Sequence, residues 1–221
     1  LRRGGLGASG TGRADDGDVG AAGGGGGAAG PRFDAPVAPG GYAWWYVDAL
    51  SDDGRHGLTI IAFVGSVFSP YYAWARTRRP VPAENHVALN VALYGPRARW
   101  AMTERGAGAL ARSADSFVVG PSSLAWDGTA LTIAIDEVAV PLPQRLRGTV
   151  RLFPSALTGH AEVLAGAGRH RWRPIAPVAR VEVAMDRPAL AWTGHGYWDA
   201  NAGDEPLEDG FACWTWSRAP V

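Results

Sequence analysis

The residues best equipped for chemistry lie near the end of the chain, in Gly194-His195-Gly196-Tyr197-Trp198-Asp199-Ala200-Asn201. If Ala191 to Asp199 is a β-strand, its side chains alternate between faces, so His195, Tyr197 and Asp199 share one face while Trp192 and Trp198 take the other. Upstream, Arg169-His170-Arg171-Trp172 repeats the geometry, with an imidazole and an indole on one face of an extended segment. Two such strands facing one cavity would surround a single carboxyl group with His, Tyr and Trp. Burial there disfavours the carboxylate and raises its pKa. A carboxylic acid held neutral near pH 7 can give its proton to a substrate. A plainer reading stays open: Tyr197-Trp198-Asp199 ends its strand, and Asp199 accepts backbone N–H groups in the Asp-Ala-Asn-Ala-Gly turn that follows.

Other chemistries find less support. The five histidines are His56, His86, His160, His170 and His195, and none stands in an HxxxH or HxH spacing beside a carboxylate, so no metal site is expected. Ser66 lies outside any G-x-S-x-G elbow, against a serine hydrolase. Asp52 and Asp53 read as turn residues, and Glu104 as a solvated or ion-paired strand end. The lone Cys213 excludes an internal disulfide. Gly23 to Gly27 has no P-loop Lys after it and reads as a linker rather than a phosphate cradle. With 21 basic residues against 21 acidic ones, bulk charge draws the chain to no polyanion, and nucleic acid is not an expected partner. Every basic residue is Arg, which points to GC-rich coding and a bacterial source. No apolar run approaches the roughly 18 to 20 residues that span a bilayer.

The elements that must hold these side chains are strands. From Gly41 onward, short apolar or alternating runs are broken by turn residues: Tyr42 to Val47, Gly57 to Val64, Asn85 to Tyr94, Arg99 to Glu104, Ser116 to Val119, Leu124 to Trp126, Ala130 to Asp136, Gly148 to Phe153, Gly168 to Trp172, Arg180 to Met185, Leu190 to Asp199 and Phe211 to Trp216. The stretch from Gly65 to Pro82, where small residues give way to Phe68, Tyr71, Tyr72 and Trp74, reads as a loop or short helix. No 3.6-residue period persists, so the expectation is an all-β antiparallel barrel or sandwich of about a dozen strands, of a size that can enclose an apolar ligand. Residues 1–38, rich in Gly, Ala and Asp, are expected to form a disordered tail, leaving 39–221 as one domain.

Three blocks in order resemble signature stretches of the carotenoid 1,2-hydratase family, also called hydroxyneurosporene synthases. They are Gly41 to Gly54 (GYAWWYVDALSDDG), Phe63 to Trp74 (FVGSVFSPYYAW), and Asn85-His86 with Leu89 to Tyr94 (LNVALY). The Trp-rich Gly210 to Arg218 (GFACWTWSR) is similar to the family as well, and the likeness runs from about Gly41 to Arg218. The resemblance implies a lipocalin-like, mainly β architecture. It implies addition of water, without a cofactor, to the terminal C1=C2 bond of acyclic carotenoids such as neurosporene and lycopene, giving a tertiary alcohol. It assigns catalytic roles to Asp199, Tyr197, His170 and Trp172, with Asp199 as the acid, His170 positioning it or returning its proton, and Trp172 and Tyr197 shielding a cation. Phe68, Tyr71, Tyr72, Trp74 and His195 are candidates for substrate contact; the four aromatics either line access for the polyene, rest on the membrane that dissolves it, or belong to the core. Members of the family continue past the Trp-Ser-Arg block, so a C-terminal truncation is expected. The location implied is the cytoplasmic side of a bacterial inner membrane, by peripheral contact. The rival from another class is a lipocalin-like carrier of an apolar isoprenoid, which would have no use for a buried neutral acid.

Overall fold

The computed structural model of the chain describes residues 30–164, 168–213, 215 and 217–218. Twelve strands and two short α-helices follow one another: β1 (Tyr42–Ser51), β2 (Gly57–Val64), α1 (Pro70–Arg76), β3 (Val87–Tyr94), β4 (Arg99–Arg105), β5 (Leu110–Arg112), β6 (Ser116–Val119), β7 (Ser122–Trp126), β8 (Leu131–Val138), β9 (Arg145–Pro154), β10 (Glu162–Val163), β11 (His170–Arg187), β12 (Leu190–Gly203) and α2 (Leu207–Gly210). All pairings between them are antiparallel, in the order β4-β3-β2-β1-β12-β11-β9-β8-β7-β6-β5, with β10 pairing β11. Neighbours in space are mostly neighbours in sequence, because tight turns can only join adjacent antiparallel strands. At the β1–β2 turn, for example, Gly54 takes φ 68° while its N–H bonds the Ser51 carbonyl.

The sheet curls until its two arms meet. The Val140 N–H donates to the Trp100 carbonyl at 2.9 Å, joining the edge strand β4 to the segment after β8. The result is a nearly closed, lipocalin-like up-and-down barrel, the all-β fold that the strand count implies. Its interior is filled rather than hollow. Trp45 and Val47 of β1, Leu58 and Ile60 of β2, Leu89 and Val91 of β3, Ile133 of β8, Val150 and Leu152 of β9, Val181 of β11 and Trp198 of β12 pack into one continuous core.

Several expectations need revising. The strand expected to end at Asp199 continues to Gly203, so Asp199 lies in a strand and not in a turn. The separate runs Gly168 to Trp172 and Arg180 to Met185 are parts of the single strand β11, whose pairing shifts register between Pro174 and Ala179. A bulge there keeps a proline-containing stretch in the sheet without a full ladder of N–H donors. No strand forms at Phe211 to Cys213, and Trp214 and Trp216 lie outside the described residues. The tail expected over residues 1–38 falls largely outside them too, yet residues 30–38 are described and engaged. Phe33 is fully buried against Trp45 (centroids 5.0 Å apart) and Phe117 (6.0 Å), and the Pro31 carbonyl accepts from the Trp45 indole at 2.8 Å. One phenylalanine anchors a segment whose composition otherwise reads as unstructured.

Candidate active site

The outer face of three adjacent strands carries the chemistry. Register sets the rows. Tyr42 of β1 and His170 of β11 flank Gly203 of β12; Trp44 and Trp172 flank Asn201; Tyr46 and Pro174 flank Asp199; and Asp48 lies beside Tyr197. Alternation along β12 sends Tyr197, Asp199 and Asn201 to this face and Trp198 into the barrel core, as expected of a strand. What alternation does not reveal is which face looks inward: the acid lies outside the barrel, not in an internal cavity.

Asp199 is buried, with only 2% of its surface exposed. Its Oδ2 accepts the indole N–H of Trp172 at 2.9 Å and the hydroxyl of Tyr197 at 2.9 Å, while Oδ1 receives a 3.3 Å contact from the Asn201 amide. All three donors are neutral. Burial raises the Asp199 pKa from 3.8 to about 6, the hydrogen bonds from Trp172 and Tyr197 pull it down, the nearby charge of Asp48 pushes it up, and Asn201 pulls it down. Because two donors occupy the lone pairs of Oδ2, the acidic proton resides on Oδ1. The protonated form predominates below pH 6. An apolar ligand that displaces the remaining water would raise the value further by desolvation.

A pocket of about 310 Å³ opens beside this carboxyl, lined by Trp44, Tyr46, Ile61, Phe63, Val67, Phe68, Asp199, Asn201 and Leu207. Phe68 meets Phe63 edge-on at 5.4 Å, and the Arg76–Glu208 ion pair at 2.6 Å ties α1 to α2 at the rim. On the other side of Asp199, Trp172 and Tyr197 face a second hollow with Phe211, Cys213 and Arg218. The walls of the first are mostly hydrocarbon, and Asp199 and Asn201 bring a carboxyl and an amide to them.

His170 stands apart from the acid. Fully buried, it shares a 2.9 Å hydrogen bond through Nδ1 with the Tyr42 hydroxyl and a 3.1 Å contact through Nε2 with Glu205, under the ring of Phe211 at 4.8 Å. Gly203 makes that pairing possible, since a Cβ there would collide with the Tyr42 ring and lie 2.8 Å from His170 Nδ1. The structure therefore unites Asp199, Tyr197 and Trp172 directly, and joins His170 to them through the strand it shares with Trp172.

The aromatic candidates separate. Phe68 lines the pocket; Tyr71 and Trp74 are 70% and 59% exposed on α1; Tyr72 is fully buried, donating its hydroxyl to the Gly41 carbonyl at 2.6 Å. His195 lies four residues down β12 on the surface, 3.4 Å from Asp52 and Arg180, and does not reach the pocket. Sequence reasoning missed Asn201, Trp44, Tyr46, Asp48 and Tyr42. The signal was available: the even-numbered residues of YAWWYVD form one aromatic face, and Asn201 has the parity of Asp199.

Comparisons with known proteins identify the family of the chain. The chain is 58% identical over 213 residues to the acyclic carotenoid 1,2-hydratase of Thiocapsa roseopersicina, covering 96% of this chain and 53% of that one. It is 60% identical over 195 residues to the acyclic carotenoid 1,2-hydratase of Rubrivivax gelatinosus, covering 86% and 48%. The chain thus spans about half the length of these curated relatives. A crystal structure of an AttH protein from Nitrosomonas europaea aligns with a TM-score of 0.48 at 15% identity, covering 76% of this chain and 52% of that one. The family model described as carotenoid hydratase CrtC matches residues 60–221, a range that takes in Asp199 with both of its Oδ2 donors, and the chain belongs to that family.

Proposed function

We propose that this chain carries the acid of a carotenoid 1,2-hydratase, a hydro-lyase adding water to the terminal C1=C2 bond of an acyclic carotenoid such as neurosporene or lycopene. The observation that carries the reading is a buried carboxyl, its Oδ2 held by two donors and its Oδ1 touched at 3.3 Å by the Asn201 amide, in a pocket lined mainly by aromatic and aliphatic side chains.

The end of the polyene enters between Trp44, Phe63 and Phe68, and its trisubstituted alkene meets Oδ1 of protonated Asp199. The proton passes to C2, the less substituted carbon, so the positive charge develops at tertiary C1. Trp172 and Tyr197 hold Oδ2 and thereby aim Oδ1; near-attack alignment of this kind is worth several kcal/mol. The π faces of the pocket aromatics stabilise the cation by roughly 0.5 to 2 kcal/mol each. Water bonds to C1, and the proton it sheds returns to the Asp199 carboxylate. Atoms balance as alkene plus water giving tertiary alcohol, with no change of oxidation state and no cofactor in any step.

Exposed Tyr71 and Trp74, with Arg78 stacked 3.8 Å over the Trp74 ring, form an amphipathic patch next to the pocket residue Phe68. Aromatic and arginine side chains of this kind favour a bilayer interface, and contact there would let the substrate pass from lipid to pocket. Among the described residues no helix is long and apolar enough to cross a membrane; this patch is where the chain would make peripheral contact with the cytoplasmic side of a bacterial inner membrane.

The test is incubation of the protein with lycopene in detergent and mass spectrometry for the gain of one water. Product that disappears in Asp199→Asn supports the reading. Substrate bound but unchanged by wild type favours the carrier or an inactive fragment, and the same assay on a longer chain separates the two.

A further inference from the structure

Asn201 has no part in the proton donation just described, yet it occupies the same pocket. It is 5% exposed, lies on the face of Asp199 one register step along β12, and lines the wall beside it. Its Nδ2 reaches Asp199 Oδ1 at 3.3 Å, which fixes the amide plane against the acid. Its Oδ1 is buried with no hydrogen-bond partner among the described residues. A buried amide oxygen without a donor is destabilising, so such groups are almost always satisfied. Among the described residues none donates to it: the indole N–H of Trp172, which flanks Asn201 from β11, is committed to Asp199. A polyene end is pure hydrocarbon and has no donor to offer. The one reactant that does is water.

We propose that the side-chain carbonyl of Asn201 holds the water that is added to the alkene, an inference that rests on the hydratase reading and assigns its second reactant a site. One O–H of the water donates to Asn201 Oδ1. The other turns to Asp199 Oδ1, about one hydrogen-bond length away once that oxygen has given its proton to C2. The oxygen lone pair is then presented to C1. As the C1–O bond forms, the proton of the resulting oxonium passes to the Asp199 carboxylate, restoring the acid. Asn201 is thus a positioning residue: it binds the nucleophile and never exchanges a proton itself. Without a held water, the C1 cation has another exit, loss of a proton to the same carboxylate, which regenerates an alkene.

That competition supplies the test. The full chain and its Asn201→Leu and Asn201→Ser variants are incubated with lycopene in D2O, and both alcohol and deuterium in the recovered alkene are measured by mass spectrometry. Asn201→Leu keeps the volume and removes the acceptor. The ratio of deuterated alkene to alcohol should rise at least tenfold in it. Asn201→Ser, which restores an oxygen acceptor, should fall between it and wild type. A leucine variant in which exchange and hydration decline together, with the ratio unchanged, would overturn the role, because a merely structural residue lowers both alike. Should the leucine variant fail to fold by circular dichroism, the serine variant decides: a ratio equal to wild type at reduced total turnover rejects the proposal. Neither alcohol nor deuterated alkene, from wild type and from a longer chain alike, overturns the hydratase reading itself, an outcome distinct from an unchanged ratio.

Discussion

Trp172 on β11 and Tyr197 on β12, 25 positions apart in sequence, donate to the same oxygen of Asp199, each at 2.9 Å. Two donors on Oδ2 leave Oδ1 facing the pocket and oriented, while both lower the carboxyl's affinity for its proton. They steady the acid geometrically and oppose it electrostatically.

On the proposed reading Asp199 must be protonated to act, so hydration should be fastest below pH 6 and fall as pH rises through about 6, the value that burial gives Asp199. Trp172→Phe and Tyr197→Phe each remove a donor that favours the charged form, so each should move this alkaline limb to higher pH. The rate at the optimum should nevertheless drop by roughly 10- to 100-fold, since the carboxyl is no longer held in line. Initial rates from pH 4.5 to 9 in the three proteins check both directions. A limb that moves to lower pH would contradict the hydrogen-bond arrangement.

The same raised pKa has a consequence for stability. The folded state holds its Asp199 proton up to about pH 6, whereas the unfolded chain releases it near 3.8. Below pH 3.8 both states are protonated and there is no penalty. Between the two values the folded state binds more protons, so stability falls as pH rises, and above pH 6 the loss is complete. A shift of this size amounts to about 3 kcal/mol. Asp199→Asn carries no charge at any pH, so its unfolding free energy relative to wild type should improve by about that much between pH 4 and pH 7.5. Urea titrations at the two pH values measure it. Parallel curves would mean that the carboxyl is not buried as described.

Around His170 the expected effects are structural. Tyr42→Phe strips the buried imidazole of one of its two polar partners and should lower stability by about 1–3 kcal/mol. Gly203→Ala should be worse, because the added methyl occupies space held by both rings and the backbone of paired strands cannot retreat. Thermal unfolding orders the two variants. An alanine variant as stable as wild type would show that Tyr42 and His170 do not close over Gly203.

At the rim of the site, replacing Tyr71 and Trp74 together by Ser removes exposed aromatic surface that supports nothing inside. Binding to phosphatidylglycerol-containing vesicles, followed by sedimentation, should weaken several-fold while the melting temperature stays unchanged. Unaltered vesicle binding would reject this patch as a membrane contact.

Taken by itself, the sequence determined the periodic part of this protein. Period-two alternation in Leu190 to Asp199 put Tyr197 and Asp199 on one face and Trp198 on the other, and the turn residues between short apolar runs determined an all-β antiparallel fold, with barrel and sandwich both open. Both are local properties, set by backbone geometry and nearest neighbours. Alternation says that two faces differ but not which is inside, and that was decided by the closing of the sheet, which placed Trp198 in the core and Asp199 on the outer wall. Tertiary structure likewise separated the four aromatics of the Phe68 to Trp74 stretch, since a single helical turn sends Tyr72 inward and Tyr71 and Trp74 outward. It drew Phe33 out of a glycine-rich segment into a hydrophobic socket, where one buried ring outweighs the composition around it. And it set Asn201 beside Asp199 and His170 away from it, because contacts between strands depend on pairing register and side-chain reach, quantities that are fixed only when the strands meet.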